Sequence, residues 1–110
     1  VSWLFVYGTL RRGEVHHQLL AGQRWIGPAR TVPRYRLVTC RGYPALIAVE
    51  DEAMAQSVSG EVWEVTPACL QLLDEFEEVP DLYVRQPVLL LGHWPPEVQA
   101  YFRSPDCLEE

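Results

Sequence analysis

Apolar residues in this chain come in short runs, each cut off by proline or glycine, and this punctuation constrains the fold before anything else does. The first run, WLFVY (3–7), is unbroken and reads as a strand buried on both faces. It discharges into Gly8, Thr9 and Leu10, then Arg11, Arg12 and Gly13. Segments 24–32, 35–39 and 44–49 read as further strands, with breaks supplied by Pro28, Pro33, Gly42 and Pro44. SVSGEVWEV (57–65) is another, in which Gly60 marks a bulge or a close backbone approach. LYVRQPVLLL (82–91) and EVQAYFR (97–103) complete the set, joined across Gly92, Pro95 and Pro96.

Two segments read as helices. HHQLLAGQ (16–23) is a short one ending near Gly22. Thr66 followed by Pro67 supplies a hydroxyl N-cap and a proline at the first helical position. The helix expected there is PACLQLLDEFEE (67–78), stopped before Pro80 because a residue preceding proline avoids the helical region. Six or seven strands with two helices make an α+β chain. The expected form is a small barrel or strongly curled sheet with helices laid against it, in one domain over residues 1–110.

Composition narrows the function. With 48% hydrophobic and 22% charged residues, the chain has the make-up of an ordinary soluble globular domain. No apolar run approaches the roughly 20 residues that span a bilayer, and the N-terminus lacks a signal-peptide layout. A net charge of -6 disfavours nucleic acid as a partner. All nine basic residues are arginines, so a Schiff-base or P-loop lysine is excluded. Cys40, Cys69 and Cys107 are odd in number and far apart, which disfavours a disulfide framework or a zinc site; reduced thiols in a cytoplasmic protein are expected. His16 and His17 diverge by about 100° on a helix and cannot share a metal, and His93 lies in a proline-rich loop, so no metal is expected. The four tryptophans read as packing residues.

Two local features carry chemistry. On a wheel of the second helix, Cys69, Leu70, Leu72, Leu73 and Phe76 share a broad apolar arc, while Asp74, Glu75 and Glu78 point to water. Glu77 falls inside the apolar arc, between Leu73 and Leu70. Burial there, and the negative end of the helix dipole, both raise a carboxyl pKa toward the range of a general base. The alternative is a helix that frays after Phe76 and releases Glu77 to solvent. The second feature is the loop after the first strand. Its glycine turn can aim backbone N–H groups into one concavity that binds anions, with the Thr9 hydroxyl as a further donor. Arg11 and Arg12 either raise the local potential or form a solvated pair.

VYGTLRRG near the start, GEVWEV (60–65), LDEFE (73–77), YVR (83–85) and AYF (100–102), in this order, resemble the gamma-glutamylcyclotransferase-like family, which includes gamma-glutamylamine cyclotransferases and AIG2-like proteins. The resemblance covers nearly the whole chain. It implies a small mixed β-barrel flanked by helices, with a cavity at the Y-G-[ST]-L loop. It makes Tyr7, Gly8, Thr9 and Leu10 the loop that holds a glutamyl moiety, Glu77 the catalytic glutamate, and Tyr83 a pocket tyrosine. Many relatives have glycine where this chain has Glu78, and often asparagine where it has His16.

The reaction so implied is cyclisation of a gamma-glutamyl amine or amino acid to 5-oxoproline and a free amine, needing no cofactor. A non-enzymatic protein that binds a small carboxylate in the same pocket is the main alternative. A third reading makes HWPPEVQAYFRSPDCLEE (93–110) an exposed tail that docks a partner.

Overall fold

The computed structural model describes residues 1–104 and Cys107. β1 (Ser2–Val6) carries the first apolar run, and its alternation feeds two cores at once. Leu4 and Val6 join Leu73, Cys69, Trp63 and Tyr101 on one side. Phe5 joins Val62, Leu46, Val88 and Phe102 on the other. A strand with a period of two can be apolar throughout only where both of its faces are covered.

β2 (Arg24–Arg30) and β5 (Ser59–Val65) pair antiparallel, as do β5 and β1. β3 (Tyr35–Cys40) and β4 (Tyr43–Ala48) form a hairpin. Its two turn residues, Arg41 and Gly42, have φ of 51° and 85°, the positive values that a two-residue hairpin turn demands at both centres. β7 (Gln99–Phe102) lies parallel to both β1 and β4, and β6 (Val84–Pro87) adds to it antiparallel. The sheet runs β2-β5-β1-β7-β4-β3, with β6 against β7.

This corrects the barrel. The end strands β2 and β3 do not pair with each other, so the sheet stays open. The 82–91 segment is also shorter than expected: only Val84–Pro87 is strand, and Leu90 contributes a single bridge to Thr31. Gly60 is a close approach, since a Cβ there would stand 2.4 Å from the Val6 carbonyl oxygen and 2.6 Å from the Phe5 ring. The bulge lies instead in β2, between Trp25 and Gly27.

α1 (Pro67–Phe76) begins as expected, with the Thr66 hydroxyl accepting from the Cys69 N–H at 3.2 Å. Its buried face is narrower than the wheel suggested. Cys69 and Leu73 are buried, whereas Leu72 and Phe76 are 62% and 41% exposed. The helix also stops two residues sooner than expected. Glu78 takes a φ of 55°, and Val79 N–H bonds to Asp74 O while Glu78 N–H bonds to Glu75 O. That pair of bonds is the Schellman closure of a helix end. The 16–23 segment is only one 3-10 turn, His17–Leu20.

Two further expectations are corrected. Cys40 and Cys107 are joined by a disulfide, leaving Cys69 as the free, buried thiol; the thiol argument for a cytoplasmic setting falls with it. The 93–110 stretch is no free tail over its described part, because Ala100, Tyr101 and Phe102 are core residues of β7. Its positions 105, 106 and 108–110 lie outside the described residues. No helix among the described residues is long and apolar enough to cross a membrane.

Candidate active site

The chain leaves β1 at Tyr7 and turns at once, with Arg11 N–H bonding to Gly8 O at 3.1 Å. Among the described residues, no backbone carbonyl receives the N–H of Gly8, Thr9 or Leu10. These three residues line a cavity together with Phe5, Val6, Tyr7, Tyr43, Pro44, Glu77 and Tyr101. It holds about 410 Å³ of empty space including its mouth. Five of the six residues that the sequence nominated, Tyr7, Gly8, Thr9, Leu10 and Glu77, therefore meet at one hollow although a helix and a strand ladder separate them.

Glu77 reaches the hollow because it continues the buried stripe of α1 by one turn past Leu73. It sits at the C-cap, half-buried, with its N–H on Leu73 O at 2.9 Å. Burial pushes its carboxyl up from 4.5 to about 7. The described residues contain two ion pairs, Arg12–Glu61 and Arg85–Asp74, and neither involves Glu77.

The tyrosines around it are fixed. The Tyr7 hydroxyl stands between β4 and β7, donating to Tyr101 O at 2.6 Å and accepting from Leu46 N–H at 3.2 Å. It thus bridges the two strands, and burial holds its pKa well above that of a free phenol. Tyr83 is the one nominated residue outside the cavity wall. Its hydroxyl donates to Pro44 O at 3.1 Å, behind the wall, and the Arg103 guanidinium lies 5.4 Å from its ring centre. Burial, and then the Glu77 charge, raise its pKa.

The loop is braced on its outer side. His16 Nδ1 lies 2.8 Å from Thr9 Oγ1, His16 N–H bonds to Thr9 O, and the His16 ring packs edge-on against Phe76 at 4.9 Å. Arg12 turns away from the cavity, over the Trp25 ring at 3.9 Å and toward Glu61 at 3.5 Å. Arg11 folds back so that its Nε donates to Gly8 O. Neither arginine lines the hollow.

Sequence reasoning missed the group beneath the site. Arg85 grips Asp74 with two bonds of 2.9 Å, and Tyr101, a cavity residue, donates its hydroxyl to the same carboxylate at 2.7 Å. Burial works against the Asp74 charge, but the Arg85 and Tyr101 bonds outweigh it and hold the carboxyl below its usual range. The wheel placed Asp74 in water because its partners come from β6 and β7. Tyr43 and Pro44 were missed likewise, since the hairpin that carries them meets β1 only through the tertiary fold.

The family model for gamma-glutamyl cyclotransferase, AIG2-like proteins matches residues 4–110. A gamma-glutamylaminecyclotransferase A of Danio rerio is 40% identical over 94 residues, covering 79% of this chain and 57% of that protein. A gamma-glutamylaminecyclotransferase of Bos taurus is 38% identical over 90 residues, covering 74% of this chain and 52% of that protein. The chain thus spans little more than half the length of these two relatives. The crystal structure of an AIG2-like protein from Mus musculus superposes with a TM-score of 0.75 at 26% identity, covering 98% of this chain and 79% of that one. The chain belongs to the gamma-glutamyl cyclotransferase, AIG2-like family.

Proposed function

We propose that this chain releases 5-oxoproline and a free amine from a gamma-glutamyl amine or gamma-glutamyl amino acid, with Glu77 as general base and then general acid. The substrate's α-nitrogen must attack its own γ-carbonyl, and as an ammonium it has no lone pair. A carboxylate that titrates near 7 takes that proton at neutral pH and returns it to the departing nitrogen. The observation that carries the reading is Glu77 in one cavity with three amide groups that, among the described residues, no backbone carbonyl uses.

Those amides, at Gly8, Thr9 and Leu10, are suited to clamp the α-carboxylate or to meet the negative charge that grows on the γ-carbonyl oxygen. β1, buried on both faces, fixes where they point. Ring closure is intramolecular, so holding the glutamyl chain in a folded, attacking shape supplies much of the rate, roughly 7–11 kcal/mol in well-oriented cases. Tyr7 contributes through the wall it forms, because its hydroxyl is already committed to backbone.

The test is a set of gamma-glutamyl amines and amino acids scored for 5-oxoproline by mass spectrometry. Glu77→Gln should fold normally and lose turnover by about 10²- to 10⁴-fold. A folded Glu77→Gln protein with near-full turnover would remove the proposal. Binding of the same compounds with no product from the wild-type protein would favour the small-carboxylate binder instead.

A further inference from the structure

Tyr43 differs from every other tyrosine in the chain. Tyr7, Tyr35, Tyr83 and Tyr101 are all at most 8% exposed. Each spends its hydroxyl on the fold: Tyr7 on Tyr101 O, Tyr83 on Pro44 O, Tyr101 on Asp74, and Tyr35 as acceptor from Leu89 N–H. Tyr43 is 60% exposed, yet it lines the same cavity as Glu77. Its size serves neither core.

Its position is nevertheless fixed. Tyr43 opens β4 opposite Cys40, across the two-residue turn, and Pro44 follows opposite Thr39. Pro44 is held from two sides, by the Tyr83 hydroxyl on its carbonyl and by its ring lying 3.4 Å from where a Cβ of Gly8 would be. With Pro44 wedged against the loop, Tyr43 is the most exposed residue of the wall, while Gly8, Thr9, Pro44 and Glu77 are only partly exposed. On the cyclotransferase reading, a glutamyl group held between Glu77 and the loop amides would leave its outer substituent, the amine to be released, nearest the exposed Tyr43 ring. The cavity wall offers that substituent a phenol ring and a proline. Glu77 is the single charged side chain among the lining residues, and no cation is among them.

We propose that Tyr43 and Pro44 form the subsite for the leaving amine, and that it takes amines with an apolar or aromatic carbon substituent in contact with the Tyr43 ring. The inference rests on the cyclotransferase reading for the direction in which the substrate lies. An aromatic face rewards contact area and ring stacking, and a leaving group bearing a carboxylate against the ring finds no cation in the wall.

The experiment compares gamma-glutamyl benzylamide with gamma-glutamyl methylamide, by kcat/KM in the wild-type protein and by calorimetric affinity in Glu77→Gln. The wild-type protein should favour the benzylamide by about tenfold or more. Tyr43→Ala should erase most of that preference, and Tyr43→Phe should keep it. An unchanged ratio in Tyr43→Ala, or no preference in the wild-type protein, overturns the subsite. Absent turnover with a Tyr43-dependent affinity ratio in the Glu77→Gln background overturns the enzyme reading and leaves the subsite standing.

Discussion

Asp74 and Glu77 stand one turn apart at the end of the same helix, and their surroundings send them in opposite directions. Asp74 is met by both arms of Arg85 and by the Tyr101 hydroxyl, which hold its carboxyl below the usual range. Glu77 has no ion-pair partner among the described residues, and burial alone lifts it to about 7. Helix position does not distinguish them. The strand beneath does: β6 and β7 bring Arg85 and Tyr101 under Asp74, whereas Glu77 overhangs the gap left where the chain turns out of β1. One carboxylate is thereby made structural, and the other is left free to exchange a proton.

Breaking the paired side should have the largest effect on stability. Arg85→Met leaves Asp74 with the Tyr101 hydroxyl alone, and the pair is only a quarter exposed. A loss of about 2 kcal/mol is expected in denaturant titrations, less than for a fully buried pair because solvent still reaches it. The unbalanced Asp74 charge should also push Glu77 higher and move the acid limb of any pH–rate profile upward. Adding Asp74→Asn to Arg85→Met should recover part of both effects; strictly additive losses would show that the two residues do not act as a unit.

The unpaired side gives a pH dependence of opposite sign to that of an ordinary salt-bridged acid. Because the folded state holds the Glu77 proton more tightly, the stability linked to that proton is fully present below 4.5 and is lost as pH rises through about 7. Glu77→Gln should therefore be more stable than the wild-type protein at pH 8, by on the order of 1–3 kcal/mol, with the gap closing toward pH 4. Thermal melts across that range check it. A gap independent of pH would mean that Glu77 is not destabilised by burial.

The smallest effect concerns how the helix end aims Glu77. Glu78 holds a left-handed φ of 55° to close the helix, a conformation that costs a side-chain-bearing residue about 1 kcal/mol. Glu78→Gly should raise stability by up to that amount while leaving turnover unchanged. A loss of stability would show that the Glu78 side chain makes a compensating contact.

These contrasts also mark where the sequence is legible. WLFVY, the Thr66–Pro67 helix start and the tight packing at Gly60 are written in neighbouring residues, and Glu77 betrays itself by standing in line with Leu73. Arg85 and Tyr101 are 11 and 27 positions from Asp74, and no local pattern says that β6 and β7 will lie beneath that helix. The same holds for Cys40 and Cys107, separated by 67 positions. Leu72 and Phe76 look apolar enough for a core, but exposure depends on what a helix face meets, and theirs meets largely solvent apart from the His16 ring on Phe76. Whether a curled sheet closes depends on its two end strands meeting, which neither β2 nor β3 encodes alone.

Glu77 is a half-buried acid with no cationic partner among the described residues. Following its side-chain carboxyl carbon by NMR through a pH titration, with Glu77→Gln to assign the signal, measures this directly. A midpoint of about 7 is expected. A midpoint near 4.5, the ordinary value for this carboxyl, would contradict it.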